Sequence, residues 1–141
     1  MVAYNYQPRF AMPIRLGIKI QTIRRPRFAR ARHARPGELI QHYTGLRTKA
    51  AAKICSDTRC VRVDPITLRF SPALGGAPVL LNAVEIDSFR VSDLDDFARL
   101  DGFEHRRDMS AFWVQYHGPM AEFHGFLIIW EPPTDDISLA A

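Results

Sequence analysis

The sequence predicts an α+β fold, a small curled sheet or barrel with two or three flanking helices. Three observations carry that expectation. Short β-branched and aromatic runs recur along the whole chain, each bounded by Pro or Gly. A short helical stretch follows the first run, and two longer ones stand together before the last. Strand and helix do not alternate regularly, so a doubly wound parallel sheet is not expected.

Taken in order, Val2-Ala-Tyr-Asn-Tyr alternates and gives a strand near residues 3–7, ended by Pro8. Ala11 to Leu16 makes a turn or two of helix, with Gly17 as its left-handed stop. Lys19 to Arg24 follows as a strand, with Ile18, Ile20 and Ile23 as the β-branched apolar content. From Arg24 to Pro36 no hydrophobic period survives, and Pro26 and Pro36 bracket a surface loop. Pro36-Gly37 turns the chain into the strand Glu38–Thr44. Runs near 51–56 and 60–69 are expected to be the arms of a hairpin, and Val79–Ile86 is the next strand. Ser92 or Asp93 caps a helix reaching Leu100, and Asp108 caps a second through Tyr116. Phe112, Trp113 and Tyr116 gather on one side of that helix, where core packing accounts for them. Phe123–Trp130 is the last strand, and 131–141 is expected to be a flexible tail.

The 141 residues suit one domain, 1–141, with 47% hydrophobic and 24% charged residues, which argues against disorder. The longest apolar run, Phe126–Trp130, falls far short of the ~20 residues that cross a bilayer, so no membrane partner is expected. The opening MVAYNYQPRF lacks the apolar stretch of a secretory signal, and a cytoplasmic location is expected. In that compartment Cys55 and Cys60 are expected as reduced thiols on neighbouring strands, although a disulfide is geometrically open to them. They lack the second Cys pair or His pair of a zinc site. With no glycine-rich phosphate cradle either, no cofactor and no metal are implied.

Charge is distributed unevenly. Residues 1–37 hold nine Lys/Arg and no acid, whereas residues 38–141 hold ten Lys/Arg against 15 Asp/Glu. Such a dipolar surface steers a polyanion to its basic side. Six arginines crowd one stretch of 12 residues: Arg24, Arg25, Arg27, Arg30, Arg32 and Arg35. Together with Tyr43 and Arg47 they are the candidate nucleic-acid-binding residues, the arginines clamping phosphates. The alternatives are a solvated loop without a ligand, and for Tyr43 a place in the core.

At the front of the basic stretch, Gly17-Ile-Lys19-Ile-Gln-Thr22-Ile-Arg24 resembles the G-x-K-x-x-T-x-R signature of ASCH domains, which are PUA-like barrels. Pro36-Gly37-Glu38-Leu-Ile-Gln is similar to the turn and strand that follow there. Phe97-Ala-Arg-Leu-Asp101-Gly102-Phe103, a helix and Phe126–Trp130 resemble the family's C-terminal part. The resemblance implies a barrel of about five to seven mostly antiparallel strands around a cleft, and a link to RNA or modified nucleosides. In members resembling N4-acetylcytidine amidohydrolases, a lysine, a threonine and a glutamate act together. Lys19 and Thr22 match the first two, and Asp101 falls near the third. Other members are reported as ribonucleases.

The chemistry is coherent on its own terms. Amide hydrolysis needs an activated nucleophile, a proton shuttle and a stabilised oxyanion. A threonine hydroxyl, a desolvated lysine and a carboxylate supply these in principle. On a regular strand, however, residues three apart face opposite sides. Lys19 and Thr22 converge only if the strand starts after Lys19 or bulges near Gln21. Otherwise Lys19 is solvated and Thr22 is simply a β-former. Three functions follow as expectations: an RNA or nucleotide-type ligand bound in a basic cleft, a small ASCH-type hydrolase, or a protein-interaction module using the basic loop.

Overall fold

The computed structural model describes residues 2–135. Eight strands form one mixed sheet, accompanied by three helices. β1 (Val2–Tyr6) is followed by a 3₁₀ turn and α1 (Ala11–Arg15). β2 (Gln21–Arg24) and β3 (Leu39–Thr44) flank the basic stretch. Next come β4 (Ala52–Lys53), the long β5 (Thr58–Ser71), β6 (Leu80–Ile86) and β7 (Phe89–Arg90). α2 (Leu94–Leu100) and α3 (Arg106–His117) precede β8 (Glu122–Trp130).

The sheet winds around β5. Its 14 residues pair with β3 at one end, with β6 at the other and with β8 along most of their length. β8 carries β2 on its far edge, and β3 carries β1 in parallel. The expected barrel is not closed. β1 and β2 form no ladder with each other; across the seam the Arg24 guanidinium reaches the Asn5 carbonyl at 2.8 Å. The candidate residues lie at this open seam. The strand total exceeds the expected five to seven because β7 is a two-residue edge that carries no hydrophobic alternation.

Two further expectations are corrected. Residues 51–56 and 60–69 are not hairpin partners: β4 folds back on β3, pairing Thr44 with Ala52 and Tyr43 with Lys53. Gly45 and Thr48 close that tighter turn by hydrogen bonds, which uses up the strand that β5 would have needed. Cys55 therefore sits in a corner and Cys60 on β5, both buried free thiols. Burial pushes the Cys55 thiol up to about 11, leaving it unreactive at neutral pH. The start of the expected tail is also anchored. Glu131 N–H donates to the Arg59 carbonyl at 2.9 Å, and the Asp135 carboxylate accepts from Ser56 N–H at 3.1 Å. Residues 136–141 lie outside the described residues. The caps follow the same local chemistry: Asp93 caps α2 as expected, whereas His105 rather than Asp108 caps α3. No helix among the described residues is long and apolar enough to cross a membrane.

One contiguous core runs beneath the sheet, from Tyr4, Ile14 and Ile40 to Leu68, Met109 and Trp130. His42 stands fully buried in it, bonded through Nδ1 to the Tyr6 hydroxyl (2.9 Å) and through Nε2 to the Thr58 hydroxyl (2.7 Å). Burial, assisted by the nearby Lys19 charge, lowers its pKa to about 4. The unfolded chain therefore takes up a proton near pH 6.5 that the folded chain refuses until about pH 4. Stability from this histidine is present above pH 6.5 and is lost as the pH falls. Between pH 7 and 5 the loss should amount to about 2 kcal/mol. In urea denaturation at those two pH values, His42→Gln should show a pH dependence smaller by about that amount. An unchanged dependence would remove His42 as its source.

Candidate functional site

The candidate residues meet at the seam between β1 and β2. After α1, Gly17 adopts φ 75°, and the N–H groups of Ile18 and Lys19 both donate to the Pro13 carbonyl, at 2.9 and 3.0 Å. This turn holds the chain out of the sheet until Gln21. Lys19 thus precedes the pleat, and the alternation that would have set it opposite Thr22 does not apply. Lys19, Thr22 and Asp101 line one cavity of about 220 Å³.

Asp101 arrives at the C-terminal end of α2. Gly102 follows with φ 94°, and a Cβ there would come within 2.7 Å of the Lys19 Cδ. Glycine is needed at this point for its conformation and to let the lysine stem pass. The Lys19 ammonium donates to the carbonyls of Gln21 (2.7 Å) and Asp101 (2.6 Å) and lies 3.5 Å from Asp101 Oδ1. It also stands 4.8 Å from the Phe10 ring centroid. Both side chains are almost entirely buried, at 3% and 6% exposure. Burial lowers the Lys19 pKa to about 8 against the opposing pull of Asp101. It raises the Asp101 carboxyl to about 6 against the pull of Lys19. Between those values the pair is ammonium and carboxylate, each closer to neutral pH than usual. Gln21 Nε2 and Asp101 Oδ1 are buried without a hydrogen-bond partner among the described residues.

Thr22 and Arg24 lie two apart on β2 and so share a face. Arg24 Nε donates to the Thr22 hydroxyl oxygen at 3.0 Å, while its Nη2 reaches the Asn5 carbonyl. Its guanidinium carbon lies 5.2 Å from the Tyr4 ring centroid and 5.0 Å from that of Tyr6. A fixed cation thus faces the threonine oxygen, where it would favour negative charge. Phe10, Phe103 and Phe112 supply apolar walls, and Trp113, Tyr116 and His117 of α3 complete them. The volume is below the ~300–1,000 Å³ of pockets for drug-sized ligands, and suits one small group. The His117 ring stacks on Trp113 at 4.3 Å. Burial, then the charges of Arg25 and Arg24, lower its pKa below the usual value, so the imidazole is neutral at pH 7.

Across Arg24 lies a wider cleft of about 630 Å³. Arg24, Arg27, Arg30, Arg32 and Arg47 line it, with no acidic residue among them. The basic stretch is anchored to the fold at several points. His33 takes a hydrogen bond from the Tyr4 hydroxyl at Nδ1 (2.8 Å) and donates from Nε2 to the Arg25 carbonyl (2.7 Å). Ala34 N–H donates to the Tyr4 hydroxyl, and Arg32 meets both oxygens of Glu38 at 2.7 Å. The Arg32 hydrogen bonds hold the Glu38 carboxyl down to about 2. The Arg27 guanidinium lies 4.5 Å from the Tyr4 centroid.

Five of the eight candidate binding residues are therefore gathered in this cleft. Arg25 lies instead beside Trp113 and His117 in a third groove, and Arg35 is exposed and lines none of the three. Tyr43 pairs with Asn5 in the β1–β3 register, on the face opposite the buried His42, and lines none of them either. The sequence reading missed the α3 wall. Its signal was present as two adjacent i,i+4 pairs, Phe112 with Tyr116 and Trp113 with His117, a wider aromatic face than core packing alone requires. Among the described residues no group of three or more His, Cys, Asp or Glu is placed to hold a metal ion. Comparisons of the chain with models of known families, with curated proteins and with solved structures return no match.

Proposed function

We propose that the chain is an ASCH-type, PUA-like domain, opened at the β1–β2 seam, that binds RNA or a nucleotide-type ligand in this cleft. One observation carries the reading: an acid-free cleft of five arginines adjoins an aromatic-walled cavity, and Arg24 lines both. Phosphate belongs on the arginine side, where planar guanidinium groups match its oxygens. A base belongs in the cavity, where rings and buried polar groups meet it. Fluorescence titration with a short RNA tests this. Affinity should fall with rising salt, the logarithms being related by a slope of roughly −3 to −4 for five phosphate contacts. Binding that is absent or insensitive to salt defeats the proposal.

A second reading, hydrolysis of an acylated nucleoside such as N4-acetylcytidine, is favoured by Lys19, Thr22 and Asp101 lining one cavity, with Lys19 paired to Asp101 and the Thr22 hydroxyl bonded to Arg24. Thr22 Oγ, facing Arg24, would attack the acyl carbon, and the acyl C–N4 bond would break, the cytidine amine leaving after taking a proton through the Lys19–Asp101 pair. Water would then release acetate from the acyl-threonine. Incubation with N4-acetylcytidine should release acetate, and Thr22→Val should abolish the release. Turnover by Thr22→Val equal to wild type would exclude Thr22 as the nucleophile.

A further inference from the structure

We infer that the ligand is one RNA strand lying across the cleft, with a single base in the Lys19–Asp101 cavity and a neighbouring nucleotide on each side of Arg24. This rests on the nucleic-acid reading above and specifies its substrate as an internal position of a strand rather than a free nucleoside. The support is a third groove of about 290 Å³, where Arg25, Pro26 and Phe123 join residues already met. It shares Ile23, Arg24, Trp113 and His117 with the cavity, and the arginine cleft shares Asn5 and Arg24 with it. The cavity thus adjoins both open grooves, which share Arg24 and Arg27 with each other, and Arg24 lines all three spaces.

The two flanking grooves have the chemistry that single strands need. Guanidinium groups for the backbone line both, and the third groove adds aromatic surfaces for bases. In the third groove the flat surfaces are His117, Trp113 and Phe123, with the Arg25 guanidinium 5.9 Å from the Phe123 ring centroid. In the arginine cleft the flat surface is the Arg27 guanidinium itself, held over the buried Tyr4 ring. Among the described residues Asp101, paired with Lys19, is the only acid lining any of the three spaces, and it sits in the cavity. A strand crossing here meets positive charge before and after the cavity. The central base must leave its stack to enter, which costs least in a strand that is already single.

Isothermal titration calorimetry with cytidine monophosphate and with oligocytidylates of two, three and four nucleotides tests the inference. Affinity should rise about tenfold per nucleotide up to three and then level off. In Arg25→Gln and in His117→Ala, both at exposed positions, the ratio of trinucleotide to mononucleotide affinity should fall about tenfold. A wild-type protein that binds the monophosphate as tightly as the trinucleotide overturns the three-site strand while leaving nucleotide binding intact. So does a ratio unchanged in both variants. Failure to bind any of the four ligands overturns the nucleic-acid reading itself.

Discussion

Lys19→Met should lower folding stability by about 3–5 kcal/mol in urea denaturation, a large effect for one surface-free substitution. Methionine has a similar length and leaves the stem packing against Phe10 in place. What it removes is the ammonium that satisfies the Gln21 and Asp101 carbonyls and balances the Asp101 carboxylate. Those groups have nowhere else to turn, since Asp101 is 4% exposed and Lys19 2%. The stranded carboxyl should respond by holding its proton to still higher pH than its present value of about 6. The double variant Lys19→Met with Asp101→Asn decides whether this is a charge effect. With no charge left to bury, it should recover a substantial part of the loss, because a buried ion pair is worth little compared with uncharged replacements. If the double variant is as unstable as the single one, the loss lies in packing and the carbonyl bonds. A folded double variant that fails to bind or hydrolyse would then show that the pair is kept for the site rather than for the fold.

Much of this arrangement was legible in the sequence, and the remainder was hidden for identifiable reasons. Gly17, Lys19 and Thr22 located the cavity, and Gly17 did so mechanically: its turn is what frees Lys19 from the alternation of β2. Asp101 could be placed near the site only by resemblance, because the contact to Lys19 spans 82 residues and local pattern carries no such information. The open seam was invisible for a related reason. Strand propensity identifies β1 and β2, but whether their edges meet is set by how the whole sheet winds around β5. The hairpin expected between 51–56 and 60–69 failed because two short runs in succession suggest each other as partners, whereas β4 had a nearer one in β3. The six arginines looked equivalent as a run of charge. Folding separates them into cleft, groove and exposed positions.

Arg24 is where that separation has the greatest consequence, and Arg24→Gln should weaken binding of a short RNA by about 10- to 100-fold at fixed salt. Glutamine retains a donor but not the fork. The wild-type side chain uses Nε for Thr22 and Nη2 for Asn5 while its guanidinium carbon lies 5.2 Å from the Tyr4 ring centroid and 5.0 Å from that of Tyr6. The fork therefore arrives already oriented, and little side-chain freedom remains to be lost when a phosphate binds. Arg24→Lys should fail to restore binding for the same reason: a point charge cannot hold Thr22 and Asn5 together and still face a ligand. Arg35→Gln removes the same formal charge from an exposed position that lines none of the cavities, and should change affinity about threefold or less. The contrast separates two explanations of the basic sector. If attraction depends on net charge alone, the Arg24 and Arg35 variants weaken binding equally and Arg24→Lys behaves as wild type. If it depends on the fork at the seam, only the Arg24 variants lose it, and the cavity loses its ligand and its contact to Thr22 together.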